Sequence, residues 1–189
     1  MTRGKYYLFL DESYDLNAFV LALVWTGNLR DVVEVKRRAL RRIGKESYKF
    51  HFSDDRDAIR EAFLGEILSS PLHLGVVLFD AVPKTCRDYA VYYVSVPLKV
   101  LPVSNSIVYV YVKGLKSWLP RDCDLLREAP SLGWHGNAVV LRLSFGELER
   151  AGLEVADYLA SLYRRCLARG FEGECGALDE RLEFVYRWR

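Results

Sequence analysis

Residues 5–26 have the sequence KYYLFLDESYDLNAFVLALVWT, and this segment decides the fold. Two runs rich in β-branched, aromatic and other apolar residues, 5–10 and 18–26, predict strands. The five residues between them, Asp11-Glu12-Ser13-Tyr14-Asp15, are mostly polar and suit a turn. We therefore predict that the segment forms a hairpin of two buried strands.

Two helices are predicted after this hairpin. Residues 29–43 keep apolar side chains at helical spacing, and Gly44 suits the helix end. A second helix is expected to begin at Ser53 or Asp54 and to continue through Ile67. The polar face of the first helix is basic and carries Lys36, Arg37, Arg38, Arg41, Arg42 and Lys45.

The remaining segments predict three strands and two helices. The strands cover residues 72–79, 107–112 and 138–143, and the helices cover residues 86–96, ended by Pro97, and residues 152–167. Residues 114–137 are irregular and predict a loop insertion. The resulting order, β-β-α-α-β-α-β-β-α with a short tail, predicts an α/β fold. We expect a mixed sheet with antiparallel first strands, flanked by helices, in a single domain over residues 1–189.

The composition is that of an ordinary globular protein. The chain has 189 residues, of which 51% are hydrophobic, and a net charge of +2, which by itself indicates no nucleic-acid or membrane partner. The absence of Gln and the single Met favour a thermophile, although a GC-rich genome explains the many Arg residues equally well. The longest apolar run, residues 18–25, is too short for a membrane helix, so we expect a cytoplasmic protein.

The four cysteines leave two interpretations open. Cys86, Cys123, Cys166 and Cys175 lack the spacing of a metal site. Reduced buried thiols are the first interpretation. A disulfide between Cys166 and Cys175, which flank a short loop containing Gly, is the second.

Acidic residues stand at three positions that suit chemistry. Asp11 and Asp80 each follow an apolar strand, where α/β folds place ligand sites, although a turn cap explains such an Asp as well. If their strands are neighbours, the two carboxylates converge on a site for Mg²⁺ or Mn²⁺. Glu154 and Asp157 are three residues apart on the last helix, either beside its buried face or on an exposed face balanced by Arg150 and Arg164.

Three motifs together resemble the domain of unknown function 3800 family. They are Phe9-Leu10-Asp11-Glu12-Ser13, Lys49-Phe50-His51 and Gly152-Leu153-Glu154-Val155-Ala156-Asp157. The resemblance implies a ribonuclease-H-like fold whose acids hold a divalent metal for phosphodiester cleavage. It implies Asp11 and Asp157 as metal ligands, with Glu12 or Glu154 helping. With Asp80 added from its own position at a strand end, we predict Asp11, Glu154 and Asp157 as metal ligands and Asp11, Glu12, Asp80 and Asp157 as the catalytic set.

The chain departs from the family pattern at three positions. Tyr14 stands where Gly is frequent, and Glu154 stands where Gln is usual. The strand 107–112 runs into Lys113, where an acid is expected. Either Asp80 supplies the missing carboxylate, or the site is incomplete.

The leading hypothesis is a nuclease or phosphodiesterase that uses Mg²⁺ or Mn²⁺ and acts on DNA or RNA. Its predicted nucleic-acid contacts are Arg37, Arg38, Arg41, Lys49 and His51. The alternatives are a catalytically silent binding module on the same fold and a PIN-like nuclease, whose parallel sheet the early hairpin disfavours. The four Trp residues also leave a homodimer open.

Overall fold

The computed structural model describes residues 3–189, apart from the side chain of Lys116. Its centre is a six-stranded sheet. The strands are β1 (Lys5–Tyr14), β2 (Phe19–Thr26), β3 (His73–Phe79), β4 (Ile107–Val112), β5 (Ala138–Arg142) and β6 (Phe184–Trp188). Their order in the sheet is β5-β4-β1-β2-β3-β6. The pairs β1–β2 and β2–β3 are antiparallel, whereas the pairs β1–β4, β4–β5 and β3–β6 are parallel.

Helices cover both faces of this sheet, and each face has its own apolar core. One core joins the sheet to α1, α2, α6 and α7, and the other joins it to α3, α4 and α5. The predicted fold class, a mixed α/β sheet with antiparallel first strands flanked by helices, is confirmed. The helices are α1 (Arg30–Arg42), α2 (Asp57–Leu68), α3 (Cys86–Ala90), α4 (Val96–Val100), α5 (Leu125–Glu128), α6 (Glu147–Arg169) and α7 (Glu174–Arg181).

The first hairpin forms as predicted, but its turn lies further along the chain. β1 continues to Tyr14, which pairs with Phe19, so residues 11–14 are strand and not turn. The turn is made by Asp15, whose side chain accepts hydrogen bonds from the backbone N–H groups of Asn17 and Ala18. The antiparallel pairing of β1 with β2 is inconsistent with a parallel PIN-like sheet.

Alternation along β1 assigns its side chains to opposite faces of the sheet. Phe9 belongs to the core beneath α6, and Leu10 belongs to the core on the other face. Continued along the strand, this alternation directs Asp11 towards α6 and Glu12 away from it.

The predicted helix over residues 86–96 forms, but Pro97 does not end it. A π-helical turn, Val91–Ser95, joins α3 to α4, and the N–H of Val96 bonds to the carbonyl of Val91. Pro97 lacks an N–H and would crowd the preceding turn of a regular α-helix. The wider π turn removes that conflict, so the helix continues to Val100.

Other elements also differ from the predictions. α2 begins at Asp57, because residues 51–55 form a turn in which the carbonyl of His51 accepts the N–H groups of Asp54 and Asp55. α6 begins at Glu147, five residues earlier than predicted. The irregular segment 114–137 contains a short 3₁₀ turn and α5. The tail, for which no element was predicted, forms α7 and β6, because β3 offers a free edge for parallel pairing.

All four cysteines are paired, so the reduced-thiol interpretation is wrong. The Cys166–Cys175 bridge joins α6 to α7, and a Cys86–Cys123 bridge that the sequence did not suggest ties the irregular segment to α3. Within residues 3–189, no helix is both long enough and apolar enough to cross a membrane.

Candidate functional site

Two buried carboxylates, Asp11 and Asp157, meet between β1 and α6. Each residue is 8% exposed. α6 approaches the sheet closely because it presents Gly152 to the ring of Phe9, where a Cβ atom would lie only 2.5 Å from the ring carbons. The small side chain at this position therefore allows the helix to bring Asp157 over the end of β1.

The electrostatics of Asp11 favour a proton or a cation. Burial raises the pKa of the Asp11 carboxyl well above its ordinary value, and the negative charges of Glu12 and Asp157 raise it further. Its Oδ1 accepts the backbone N–H of Glu12 at 3.0 Å. Its buried Oδ2 has no hydrogen-bond partner in the described part of the chain. One carboxylate oxygen is thus available to a ligand.

A loop between α1 and α2 fixes Asp157 from the other side. The N–H of Phe52 donates to Asp157 Oδ2 at 2.8 Å, and His51 Nε2 lies 3.6 Å from Oδ1. Burial raises the pKa of the Asp157 carboxyl, while these two neighbours oppose the shift. The other ring nitrogen of His51, Nδ1, lies 3.1 Å from Asp54. The imidazole therefore stands between a surface carboxylate and a buried one.

Asp55, which sequence reasoning missed, holds this loop in place. Its buried carboxylate accepts hydrogen bonds from the hydroxyls of Tyr48 and Tyr158 and from the N–H of His51 at 3.1 Å. The hydrogen bond and the negative charge of Asp55 add to burial in raising the pKa of Tyr158. Tyr158 follows Asp157 directly in α6. This adjacency to a predicted site residue was the one sequence signal that pointed to Tyr158.

Glu12 lies on the opposite face of the sheet from Asp157, as the alternation along β1 requires. Burial raises the pKa of its carboxyl, and the hydroxyl of Tyr93 opposes that shift. Glu12 Oε2 and the Tyr93 hydroxyl are both buried and have no hydrogen-bond partner within the described residues. Glu12 therefore faces the other core, although its negative charge still raises the pKa of Asp11.

Glu154 is buried, so the interpretation of an exposed acidic face is wrong. It is 4% exposed, and its Oε1 forms an ion pair with Lys36 Nζ at 2.9 Å. Arg164 contacts Ser13 and Asp15 instead of Glu154. Arg150 forms its ion pair with Glu147, and its charge also lowers the pKa of Glu154. Glu154 is bound to a lysine and does not join Asp11.

Asp80 does not complete the acid set. β2 lies between β1 and β3, so the two strands are not neighbours. Asp11 is level with Val76 through Ala22, which leaves Asp80 four residues, or about 13 Å, further along the sheet. In residues 3–189, no three His, Cys, Asp or Glu side chains form a group that could hold a metal ion.

Lys113 occupies the place where a third acid was expected. Leu10 is paired with Val112, so Asp11, within β1, lies beside Lys113, the first residue after β4. The positive charge of Lys113 lowers the pKa values of Asp11, Glu12 and Asp157 against the effect of burial. A lysine ammonium group therefore offsets part of the charge of these carboxylates.

A groove reaches this site from the side of Asp157. It has a volume of about 240 Å³ and continues into a second groove of about 410 Å³, with which it shares Lys49 and Arg150. Lys36 and Lys113 add two further cations to the walls. The first groove is lined by Lys49, Phe50, Lys113, Phe145, Arg150, Leu153, Glu154 and Asp157.

The predicted nucleic-acid contacts divide into two groups. Lys49 lines the groove, and His51 contacts Asp157. Arg37 and Arg38 pair with Glu34 on the exposed surface of α1, and Arg41 is exposed on the same helix. These three arginines do not line the groove. α1 contributes Lys36 and Leu40, one turn apart, to the second groove.

Comparisons with known proteins give little. The chain matches no family model and no curated protein. Among solved structures, it is similar to the structure of the PCNA:RNase HII complex from Archaeoglobus fulgidus. The two share 14% sequence identity and a TM-score of 0.48, over 88% of this chain and 75% of that chain. The fold class stated above rests on the order and direction of the strands.

Proposed function

We propose that Asp11 and Asp157 hold a divalent cation, Mg²⁺ or Mn²⁺, and that the protein cleaves phosphodiester bonds in DNA or RNA. The observation that carries the proposal is the buried, unpartnered Oδ2 of Asp11 beside a second buried carboxylate. Buried carboxylates are costly unless they are paired, protonated or bound to a cation. The resemblance of the Asp11 and Asp157 motifs to the domain of unknown function 3800 family, which implies a ribonuclease-H-like fold with metal-binding acids, supports the same proposal.

The donor set suits a hard cation that keeps part of its water. Mg²⁺ is commonly bound by one or two carboxylates, with waters and substrate phosphates as the other ligands. Among the described residues, Asp11 Oδ2 has no hydrogen-bond partner, and Asp157 Oδ1 lies 3.6 Å from His51 Nε2. When bound, such an ion polarises a phosphoryl oxygen and lowers the pKa of a coordinated water.

The neighbouring side chains suit the rest of a hydrolysis. Lys113, Lys49 and Arg150 line the groove, where they would contact and orient phosphate oxygens. His51, with a side chain 35% exposed, stands beside Asp157 and would accept the proton of the attacking water. Asp55 would serve as a positioning residue, because it fixes the loop that carries His51.

The test is calorimetric titration of Mn²⁺ into the wild type, Asp11→Asn, Asp157→Asn and Asp80→Asn. We expect binding by the wild type, at least about tenfold weaker binding by the first two variants, and unchanged binding by Asp80→Asn, whose carboxylate lies apart from the site. Nuclease assays on the same four proteins should follow the same pattern. No Mn²⁺ binding by the wild type, with or without an oligonucleotide, would overturn the proposal.

A second candidate is a catalytically silent nucleic-acid-binding module. The observation in its favour is Lys113, which stands where the family pattern has an acid and offsets the charge of the carboxylates. This candidate predicts oligonucleotide binding that needs no divalent ion. It also predicts a melting temperature that Mn²⁺ leaves unchanged.

A further inference from the structure

Two exposed aromatic side chains stand at the same end of the sheet as the carboxylates. Tyr14 lies three residues beyond Asp11 on β1, and Trp118 follows the end of β4. Each is 47% exposed, and their rings meet edge to face with centroids 6.3 Å apart. Leu16, at the tip of the hairpin, is fully exposed beyond them. Large apolar side chains that gather on a surface often mark a binding site.

The Tyr14 ring is held by the core beneath it. It stacks on Phe19 with centroids 5.8 Å apart and an interplanar angle of 12°. Phe19 is only 2% exposed and contacts the rings of Phe79, Tyr92 and Tyr93. A ring packed in this way loses little side-chain freedom when a ligand stacks on it, so the aromatic pair is a preorganised platform.

We propose that Tyr14 and Trp118 stack an unpaired base, so that the ligand of the neighbouring site is a single strand of nucleic acid. The inference rests on the proposed function and narrows its substrate class. Stacking on an aromatic ring suits every base, but only where the base is free of a double helix. Three steps along β1, or about 10 Å, separate Asp11 from Tyr14. Tyr14 stacks on Phe19 and so lies on the face of the sheet opposite Asp11, which means that an oligonucleotide reaches both by passing around this end of the sheet.

The charges around the platform favour a nucleic acid over an apolar protein surface. Lys113 lies on the same chain segment as Trp118 and faces the carboxylates, so it can contact a phosphate between the site and the platform. In the other direction, beyond Tyr92, the surface carries two acids, Asp80 and Asp88, and one cation, Arg189. These acids repel phosphates, so the strand is expected to run from the platform towards Lys113 and the groove.

The test measures binding by the fluorescence anisotropy of labelled nucleic acids. The single strands are oligothymidylate and oligouridylate of about ten nucleotides, and they are compared with a duplex of the same length. We expect the wild type to bind a single strand at least about tenfold more tightly than the duplex. Tyr14→Ala and Trp118→Ala should each weaken single-strand binding about tenfold, and Tyr14→Phe should retain it. Phe171→Ala, at another exposed aromatic position, is the matched control.

The outcomes separate this inference from the proposed function. Equal affinity for duplex, or unchanged binding in both alanine variants, overturns the platform even if Mn²⁺ still binds at Asp11 and Asp157. The platform is also overturned if the wild type binds no oligonucleotide but self-associates, and if Trp118→Ala abolishes that self-association. This result would assign Trp118 to a contact between two copies of the chain. If the wild type binds no Mn²⁺ but its oligonucleotide binding still depends on Tyr14 and Trp118, the result supports the platform and refutes the proposed metal site. Circular dichroism of each variant checks that the fold is kept.

Discussion

The backbone N–H of Phe52 donates to the carboxylate of Asp157 at 2.8 Å, although 105 residues separate them in the sequence. This hydrogen bond joins the loop before α2 to the middle of α6. Because the loop also carries His51, one bond places both the carboxylate and the imidazole. Asp55 anchors the same loop through Tyr158, the next residue of α6. The geometry of the candidate site therefore depends on two contacts between distant segments.

Asp55→Ala should destabilise the protein by about 2–4 kcal/mol, because it leaves two tyrosine hydroxyls and a backbone N–H without their acceptor. Urea unfolding measures the loss. Tyr158→Phe should cost less, since it removes the donor along with the bond. Asp54→Ala, whose side chain is 80% exposed, is the control and should change the free energy of unfolding little. Equal losses for Asp54→Ala and Asp55→Ala would contradict the assigned role.

Asp11→Asn should stabilise the protein at neutral pH by about 1–3 kcal/mol, because burial disfavours the ionised form of the Asp11 carboxyl in the native state. The folded-state pKa of Asp11 is raised, so the native state holds its proton while the unfolded state, with a pKa of about 3.9, loses it. The penalty is therefore absent below about pH 4 and grows as the pH rises towards the folded pKa. Denaturant unfolding at several pH values checks this.

The control for this pH dependence is Asp15→Asn in the adjacent turn. Hydrogen bonds from the backbone N–H of Asn17 and from Arg164 lower the pKa of Asp15, so its charged form favours folding. Its substitution should lower stability at neutral pH and have no effect under acid conditions. The same sign for both variants would refute the assignment of Asp11 as an unfavourable buried charge.

Lys113→Gln should raise the affinity for Mn²⁺ roughly tenfold, because removing one positive charge from a partly exposed site changes the binding free energy of a cation by about the corresponding amount. The lysine charge now offsets the negative charges of Asp11 and Asp157, so its loss leaves them more attractive to a cation. Oligonucleotide affinity should fall in the same variant. Lys49→Gln, which alters the same groove, should have a smaller effect on Mn²⁺ in calorimetry. A weaker Mn²⁺ affinity in Lys113→Gln would show that the ammonium group does not compete with the cation.

Gly152→Ala should destabilise the protein by about 1–3 kcal/mol, because the new methyl group would overlap the ring of Phe9 at 2.5 Å. Gly65→Ala, inside α2, is the matched substitution. Its Cβ would meet only the end of the flexible Arg42 side chain at 3.2 Å, so the better helix propensity of Ala should stabilise by about 0.5–1 kcal/mol. Thermal melts of the two variants should shift in opposite directions.

Local patterns in the sequence determined the fold class and the position of the two central carboxylates. Strands and long helices follow from alternation and helical spacing, which neighbouring residues establish without help from the rest of the chain. Helical spacing predicted Asp157 on a helix beside small residues. The apolar run before Asp11 predicted that Asp11 follows a buried strand. The predicted length of β1 was wrong, because the polar residues 11–13 become strand by pairing with β2, and no local pattern of residues indicates that pairing.

The tertiary structure alone decided which polar groups meet at the site. Whether Asp80 approaches Asp11 depends on β2 lying between their strands, and the place of Lys113 depends on the register of β4 against β1. Asp55 gains its role from tyrosines on two other segments, and Lys36 neutralises Glu154 across 118 residues. β6 exists as a strand because β3 offers it a free edge. Such pairings are set by packing between distant segments, and no local pattern of residues encodes them.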